Sequence, residues 1–221
     1  MTTTHKRAMA TVRKRKPRGM GHERRGEILA AARQLFVAEG YETVTTRKLA
    51  ARAGLSQTGL YVYFRSKEEI LDALCRETFQ RLVDRFSVIA NTVKDPLELL
   101  RALLRGYVDF GLAHPDEYQL TFMVSSSAPK FTHHKDHRAA NDQSGIGIRS
   151  FLLFRDQVAK MVEARVLRKV DVTVAAQTMW AAAHGLVALM IARPGYLWAD
   201  REALVQTTID TLIAGLQSKT R

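Results

Sequence analysis

The stretch from Thr45 to Glu69, TTRKLAARAGLSQTGLYVYFRSKEE, constrains the chain more than any other. Leu49, Ala50 and Ala53 fall on one face of a short helix, and Gly54 follows where a tight turn needs a residue tolerant of positive φ. Ser56 is then placed to cap a second helix beginning at Gln57. That helix shows Gln57, Thr58, Tyr61 and Tyr63 around a face that Leu60 and Phe64 anchor to the core. The spacing predicts a helix-turn-helix, and the exposed side-chain types suit a DNA groove.

Charge gathers on the same region. The chain has 34 Lys and Arg against 22 Asp and Glu, a net +12. Residues 1–67 carry 15 basic and 4 acidic side chains, or +11, whereas the remaining 154 carry 19 and 18, or +1. A merely basic protein would spread its excess; this one concentrates it on the third that holds the motif, as a phosphate-binding footprint requires. The plainer alternative is a solvated basic face.

Two domains fit the length of 221 residues and the ordinary 46% hydrophobic content. The single cysteine, Cys75, rules out an intramolecular disulfide and any Cys-rich metal site, and fits a reducing cytoplasm. The longest apolar run, Met179 to Ala192, contains His184 and is too short for an ordinary membrane span. With no apolar signal region at the N-terminus, the expectation is a cytoplasmic protein without a membrane segment.

Residues 1–20 hold almost no large apolar side chain, which predicts a disordered basic arm. Within it Arg13, Lys14, Arg15, Lys16 and Arg18 form a block suited to the minor groove, with a generic solubilising tail as the alternative. From Glu23 the pattern becomes helical through Ile28, Leu29, Ala32, Leu35 and Phe36, with Gly40 as the stop. Ser66 and Glu69 form a capping box opening a long linking helix that carries Ile70, Leu71, Leu74, Phe79, Leu82, Val83 and Phe86.

Beyond residue 90, helix starts are marked by Asp95 with Pro96 and Glu98, by Pro115 with Asp116 and Glu117, and by Asp171 and Asp200. No strand pattern, hairpin turn or internal repeat is visible. The expected fold is all-α: a basic arm (1–20), a three-helix helix-turn-helix domain (21–66), and a larger helical bundle (67–221) for regulation and dimerisation, entered through a linker helix.

The fragments GEILAAARQLFVAEGYETVT and TRKLAARAGLSQTGLYVYFRSKEEIL closely resemble the DNA-binding domain of the tetracycline-repressor (TetR) family, over residues 24–72 without a gap. The resemblance rests on Phe36, Gly40 and Tyr41, on Ala50, Ala53 and Gly54, and on the Leu-Tyr-x-Tyr-Phe end of the second motif helix. It implies a homodimer on a palindromic DNA operator, with a C-terminal domain that dimerises and binds a small-molecule effector that weakens DNA binding. The regulator would be a repressor without catalytic activity or cofactor. Carried over by position, the resemblance gives Thr45, Thr46, Arg47 and Lys67 phosphate contacts, and Gln57, Thr58 and Gly59 base edges. Tyr61 and Tyr63 match positions shared between base, sugar and phosphate, with core packing as the alternative for Tyr61. Gly59 departs from the pattern, since the family more often has a small side chain there.

The C-terminal part is similar to a Trp-x-x-x-His-Gly subgroup of the family through Trp180, His184 and Gly185. Trp180 and His184 share a helical face, and Gly185 permits close approach of another helix. The resemblance places this helix and the one from Asp200 to Leu216 in a four-helix dimer interface. Tyr107, Phe110, Phe122, Met123, Phe151, Phe154, Met161, Trp180 and His184 are the candidate pocket residues, with core filling as the alternative for each. His133, His134, Asp136 and His137 sit in a polar stretch without rigid ligand spacing and are read as a solvated loop rather than a metal or catalytic site. The competing function is an architectural protein that coats DNA through its basic arm with little sequence choice.

Overall fold

The computed structural model describes residues 21–124 and 145–218. The basic arm, with Arg13, Lys14, Arg15, Lys16 and Arg18, and the histidine-rich stretch of His133, His134, Asp136 and His137 lie outside the described residues. The chain divides into two compact units, Met1–Lys67 and Glu68–Arg221, one residue beyond the expected boundary.

In the first unit α1 (Gly21–Glu39), α2 (Thr46–Arg52) and α3 (Gln57–Tyr61) enclose a small core. Helix α1 begins two residues before the expected start and stops at Gly40, whose φ of +83° turns its N–H onto the Phe36 carbonyl at 3.0 Å. The Thr45 hydroxyl caps α2 by accepting from the Lys48 amide at 3.3 Å. At its other end Gly54, at φ +67°, closes a Schellman motif: the Leu55 N–H donates to the Ala50 carbonyl at 2.8 Å and the Gly54 N–H to that of Ala51 at 3.1 Å. The Ser56 hydroxyl then accepts from the Gly59 amide at 3.0 Å, which starts α3. Ile28, Phe36, Leu49, Ala50, Leu60 and Phe64 are buried between these helices, and the Tyr41 ring meets Phe36 edge-on at 5.1 Å.

The second unit contains most of α4 (Lys67–Thr92), then α5 (Pro96–Ala113), α6 (Pro115–Tyr118), α7 (Ile146–Glu163), α8 (Val172–Ala192) and α9 (Arg201–Leu216). The three aspartates expected as caps act as such. Asp95 accepts from the Leu97 and Glu98 amides, Asp171 from Val174 and Asp200 from Ala203, at 2.8–3.0 Å. The helix marked by Pro115 stays α-helical for only one turn. Over Gln119–Met123 it widens, closed by the Val124 N–H on the Gln119 carbonyl at 3.0 Å, a π-helical turn that no local residue pattern announces. Among the described residues the only strand-like pairing is an isolated bridge between Leu167 and Gln217.

Helix α8 corrects the expected apolar run. The helix starts at Val172, so its 21 residues meet the length and composition of a membrane span. It is also a packing helix: Ala175, Ala176, Met179, Ala183 and Val187 are buried in the core, while Val174 and Leu189 are exposed. Gly185 has no neighbour of its own chain within 4 Å of where a Cβ would stand, so the close approach expected there does not occur within the protomer.

Within the chain a close approach occurs at Gly111 of α5. A Cβ at Gly111 would lie 2.5 Å from Val187 Cγ1 and 2.8 Å from the Tyr118 ring. Alanine in mid-helix gains up to about 1 kcal/mol in propensity over glycine. Overpacking a fixed helix crossing outweighs it, so Gly111→Ala is expected to lose a net ~1–3 kcal/mol. Urea unfolding measures this as a lower midpoint at unchanged slope; an unchanged or higher midpoint would show that the crossing yields freely.

Candidate functional site

The outer surface of α2 and α3 carries a polar cluster built from both helices. Gln57 Nε2 donates to Thr46 Oγ1 at 3.2 Å and to Tyr61 Oη at 3.5 Å, and Thr46 Oγ1 and Tyr61 Oη are themselves 3.5 Å apart. The hydrogen bond from Thr46, and then that from Gln57, lower the Tyr61 phenol below its ordinary pKa. Tyr61 is 46% exposed, which decides against the core-packing alternative for its ring. Thr58 and Arg47 are exposed, and Arg47 makes no ion pair or hydrogen bond among the described residues. Thr45 is occupied as the α2 cap through its oxygen, leaving its O–H to donate. Gly59 brings no side chain to this surface; a Cβ there would stand 3.2 Å from the capping Ser56 oxygen.

Two expected residues face elsewhere in part. Tyr63 is half-buried. Lys67 turns its ammonium back on the α1–α2 loop, donating to the Tyr41 carbonyl at 2.8 Å and the Glu42 carbonyl at 3.4 Å, and lying 4.2 Å from the Tyr41 ring centre. Its side chain therefore holds the loop in place rather than standing free for a phosphate.

Two arginines of α1 brace the motif and were not legible in the sequence. Arg25 donates from Nη1 to the Tyr63 carbonyl at 3.0 Å with its guanidinium 4.0 Å over the Phe64 ring. Arg24 pairs with Glu27 at 2.6 Å and reaches the Gly54 carbonyl at 3.4 Å. Their partners lie 30 and 38 residues away, beyond any local pattern.

In the second unit a cavity of ≈ 310 Å³ opens between α4, α5, the π-helical turn, α7 and α8. Five of the candidate pocket residues line it: Tyr107, Phe122, Phe151, Phe154 and Trp180. Four do not. Phe110 is buried against His114 at 5.2 Å, under the Arg81 guanidinium. Met161 is buried and Met123 partly buried in the core away from the cavity. His184 stands behind the wall, bonded to Tyr118. Phe79, Leu82 and Phe86 of α4, Leu103 and Leu104 of α5, Gly147, Ile148 and Ser150 of α7, and Gln177 and Ala183 of α8 complete the lining. Among the described residues no charged side chain lines it.

A hydrogen-bonded row runs from the cavity wall into the core. Trp180 Nε1 donates to Tyr107 Oη at 3.1 Å, Tyr107 Oη lies 2.9 Å from Tyr118 Oη, and Tyr118 Oη lies 2.6 Å from His184 Nδ1. Burial pushes the Tyr107 phenol up to about 12 and that of Tyr118 further up, while it lowers His184 below its ordinary value, so the imidazole is neutral at pH 7. His184 is thus a satisfied histidine and Trp180 a wall residue 39% exposed.

An exposed polar surface on a short capped helix and a separate aromatic cavity together fit the class of helix-turn-helix regulatory proteins. Comparison with known proteins gives the family. The pattern of bacterial regulatory proteins of the tetR family matches residues 28–74, and that of the tetracyclin repressor-like C-terminal domain matches residues 100–212. The chain belongs to the TetR family.

Its sequence is 32% identical over 121 residues to the transcriptional repressor KstR2 of Mycobacterium tuberculosis, covering 53% of this chain and 60% of that protein. It is 35% identical over 100 residues to the transcriptional activator FasR of Mycolicibacterium smegmatis, covering 45% and 46%. It is 37% identical over 109 residues to the nucleoid occlusion factor SlmA of Vibrio vulnificus, covering 49% and 54%. The matches thus span about half to three fifths of these relatives.

Among solved structures, the ketosteroid regulator KstR2 of M. tuberculosis shares the fold at a TM-score of 0.64 and 22% identity, over 89% of this chain and 96% of that one. A Rhodococcus sp. RHA1 protein of unknown function does so at 0.70 and 26%, over 88% and 96%.

Proposed function

We propose that this chain is an effector-released transcriptional repressor that binds a palindromic operator as a homodimer in the cytoplasm. The observation that carries the reading is the Thr46–Gln57–Tyr61 cluster, held outward over buried Leu60 and Phe64. In this reading Gln57 and Thr58 take base edges, Tyr61 and Tyr63 share base and backbone contacts, and Thr45, Thr46 and Arg47 fix the register on phosphates. The basic block from Arg13 to Arg18 follows the adjacent minor groove. The exposed apolar side chains of α8, Val174 and Leu189, pair with a second copy. The cavity takes a small-molecule effector, and α4 carries the response, because the helix that begins at Lys67 also supplies Phe79, Leu82 and Phe86 to the cavity wall. In this reading the chain acts by binding, without catalysis.

The presence of a nucleoid occlusion factor among the relatives favours a second reading, DNA binding without control of a single promoter. Footprinting of the full chain on the DNA flanking its own gene, at stated salt, separates the two. A bounded footprint over an inverted repeat is expected; uniform, sequence-independent protection would overturn operator reading.

A further inference from the structure

The hydrogen-bonded row behind the cavity has a direction, and the direction sets what the cavity can accept. Indole Nε1 of Trp180 can only donate, so Tyr107 Oη accepts at that end. At the other end the 2.6 Å separation of Tyr118 Oη and His184 Nδ1 is short for an N–H donor to oxygen, which spans roughly 2.7–3.2 Å, and suits a hydroxyl donor. Tyr118 therefore donates to a neutral imidazole whose proton sits on Nε2. Tyr118 is fully buried, so its oxygen must take its second bond from Tyr107, and the row reads Trp180 to Tyr107 to Tyr118 to His184. Its indole and hydroxyl protons are all committed. The Tyr107 hydroxyl has none left for the cavity and offers only a lone pair.

Ser150, on the same lining, repeats the arrangement, since its hydroxyl donates to the Gly147 carbonyl at 2.8 Å. The two hydroxyls among the described lining residues are thus both acceptors towards a ligand. Among the described residues Gln177 is the one lining side chain able to act in either sense. Among the described residues no cationic group lines the cavity to compensate a desolvated anion.

We propose that the cavity selects an uncharged, mainly apolar molecule that presents a hydrogen-bond donor, such as a hydroxyl, to the Tyr107 oxygen, in preference to an anion or an acceptor-only ligand. The inference rests on the reading of the cavity as the effector site and gives that site its chemistry. An acceptor-only ligand would bring its lone pairs against that of Tyr107, and a carboxylate would lose its water without a partner.

Calorimetric titration of the full chain at pH 7.5 with three matched probes tests it: 4-phenylphenol, 4-methoxybiphenyl and biphenyl-4-carboxylate. The phenol is expected to bind at least ten-fold more tightly than either of the others. In Tyr107→Phe, with folding checked by circular dichroism, its affinity is expected to fall to that of the methoxy compound. Equal or tighter binding of the methoxy or carboxylate probe to the wild-type chain would overturn the donor rule while leaving the cavity as a ligand site. A full phenol preference in folded Tyr107→Phe would overturn the role of Tyr107. If none of the three binds, the effector reading of the cavity falls together with the inference.

Discussion

Gln57→Ala is expected to lower operator affinity by roughly 30-fold to 10⁴-fold while leaving binding to unrelated DNA unchanged. A bidentate side-chain pair with a base contributes ~1–3 kcal/mol of discrimination, and a two-fold dimer makes the pair twice, or ~2–6 kcal/mol per operator. Each 1.4 kcal/mol is about ten-fold in affinity. Bidentate pairing with a base takes one Nε2 proton, so the 3.5 Å bond to Tyr61 yields while the 3.2 Å bond to Thr46 keeps the side chain placed before DNA arrives. Because Gln57 carries no charge, the salt dependence of binding should keep its slope. Arg47→Ala should do the reverse, with a milder loss spread over all sequences and a slope reduced by roughly 0.9 per phosphate contact removed. Electrophoretic titration over a salt series distinguishes the two patterns. A Gln57→Ala loss equal on operator and random DNA would show that Gln57 reads no base.

Local chemistry explains which parts of this architecture were legible in the sequence. Gly54, Ser56, Asp95, Asp171 and Asp200 act on amides within a few positions of themselves, so turns and helix starts were readable where they occur. Features that depend on how helices are rotated against one another were not. Tyr107 and Phe110 are three apart on α5, yet one lines the cavity and the other packs against His114. Aromatic content alone cannot divide them, because both faces of α5 are buried. His184 is a pocket candidate with core filling as its alternative, and its bond to Tyr118, 66 residues away and beyond any local pattern, gives it the core role. The same holds for Lys67. A lysine at a helix start suits a phosphate, whereas its actual partners are carbonyls 25 and 26 residues earlier. Charge counting, too, is blunt about residues: residues 21–67 hold 8 basic and 4 acidic side chains, and Arg24, Arg25 and Lys48 are engaged within the unit.

Phe64→Ala is expected to unfold the reading head and abolish operator binding while leaving the cavity functional. Phe64 is 1% exposed, and truncating a buried phenylalanine costs ~3–5 kcal/mol. A unit the size of residues 21–67 has only ~2–7 kcal/mol of stability to draw on, at ~0.05–0.15 kcal/mol per residue. The loss also removes the ring beneath Arg25, whose guanidinium braces the end of the motif through the Tyr63 carbonyl. Leucine at the same position keeps much of the volume but not the aromatic face, so Phe64→Leu should retain folding with weaker DNA binding. Because the chain divides at Lys67 and every cavity-lining residue lies beyond that division, 4-phenylphenol should still bind Phe64→Ala with its wild-type affinity. Proton–nitrogen correlation spectra would then show the resonances of residues 21–67 collapsing to unfolded positions, with those of α5 to α9 unmoved. Collapse of both sets together would mean that the two units fold as one cooperative body, and that a change in the cavity reaches the DNA-reading surface through stability rather than through movement of α4.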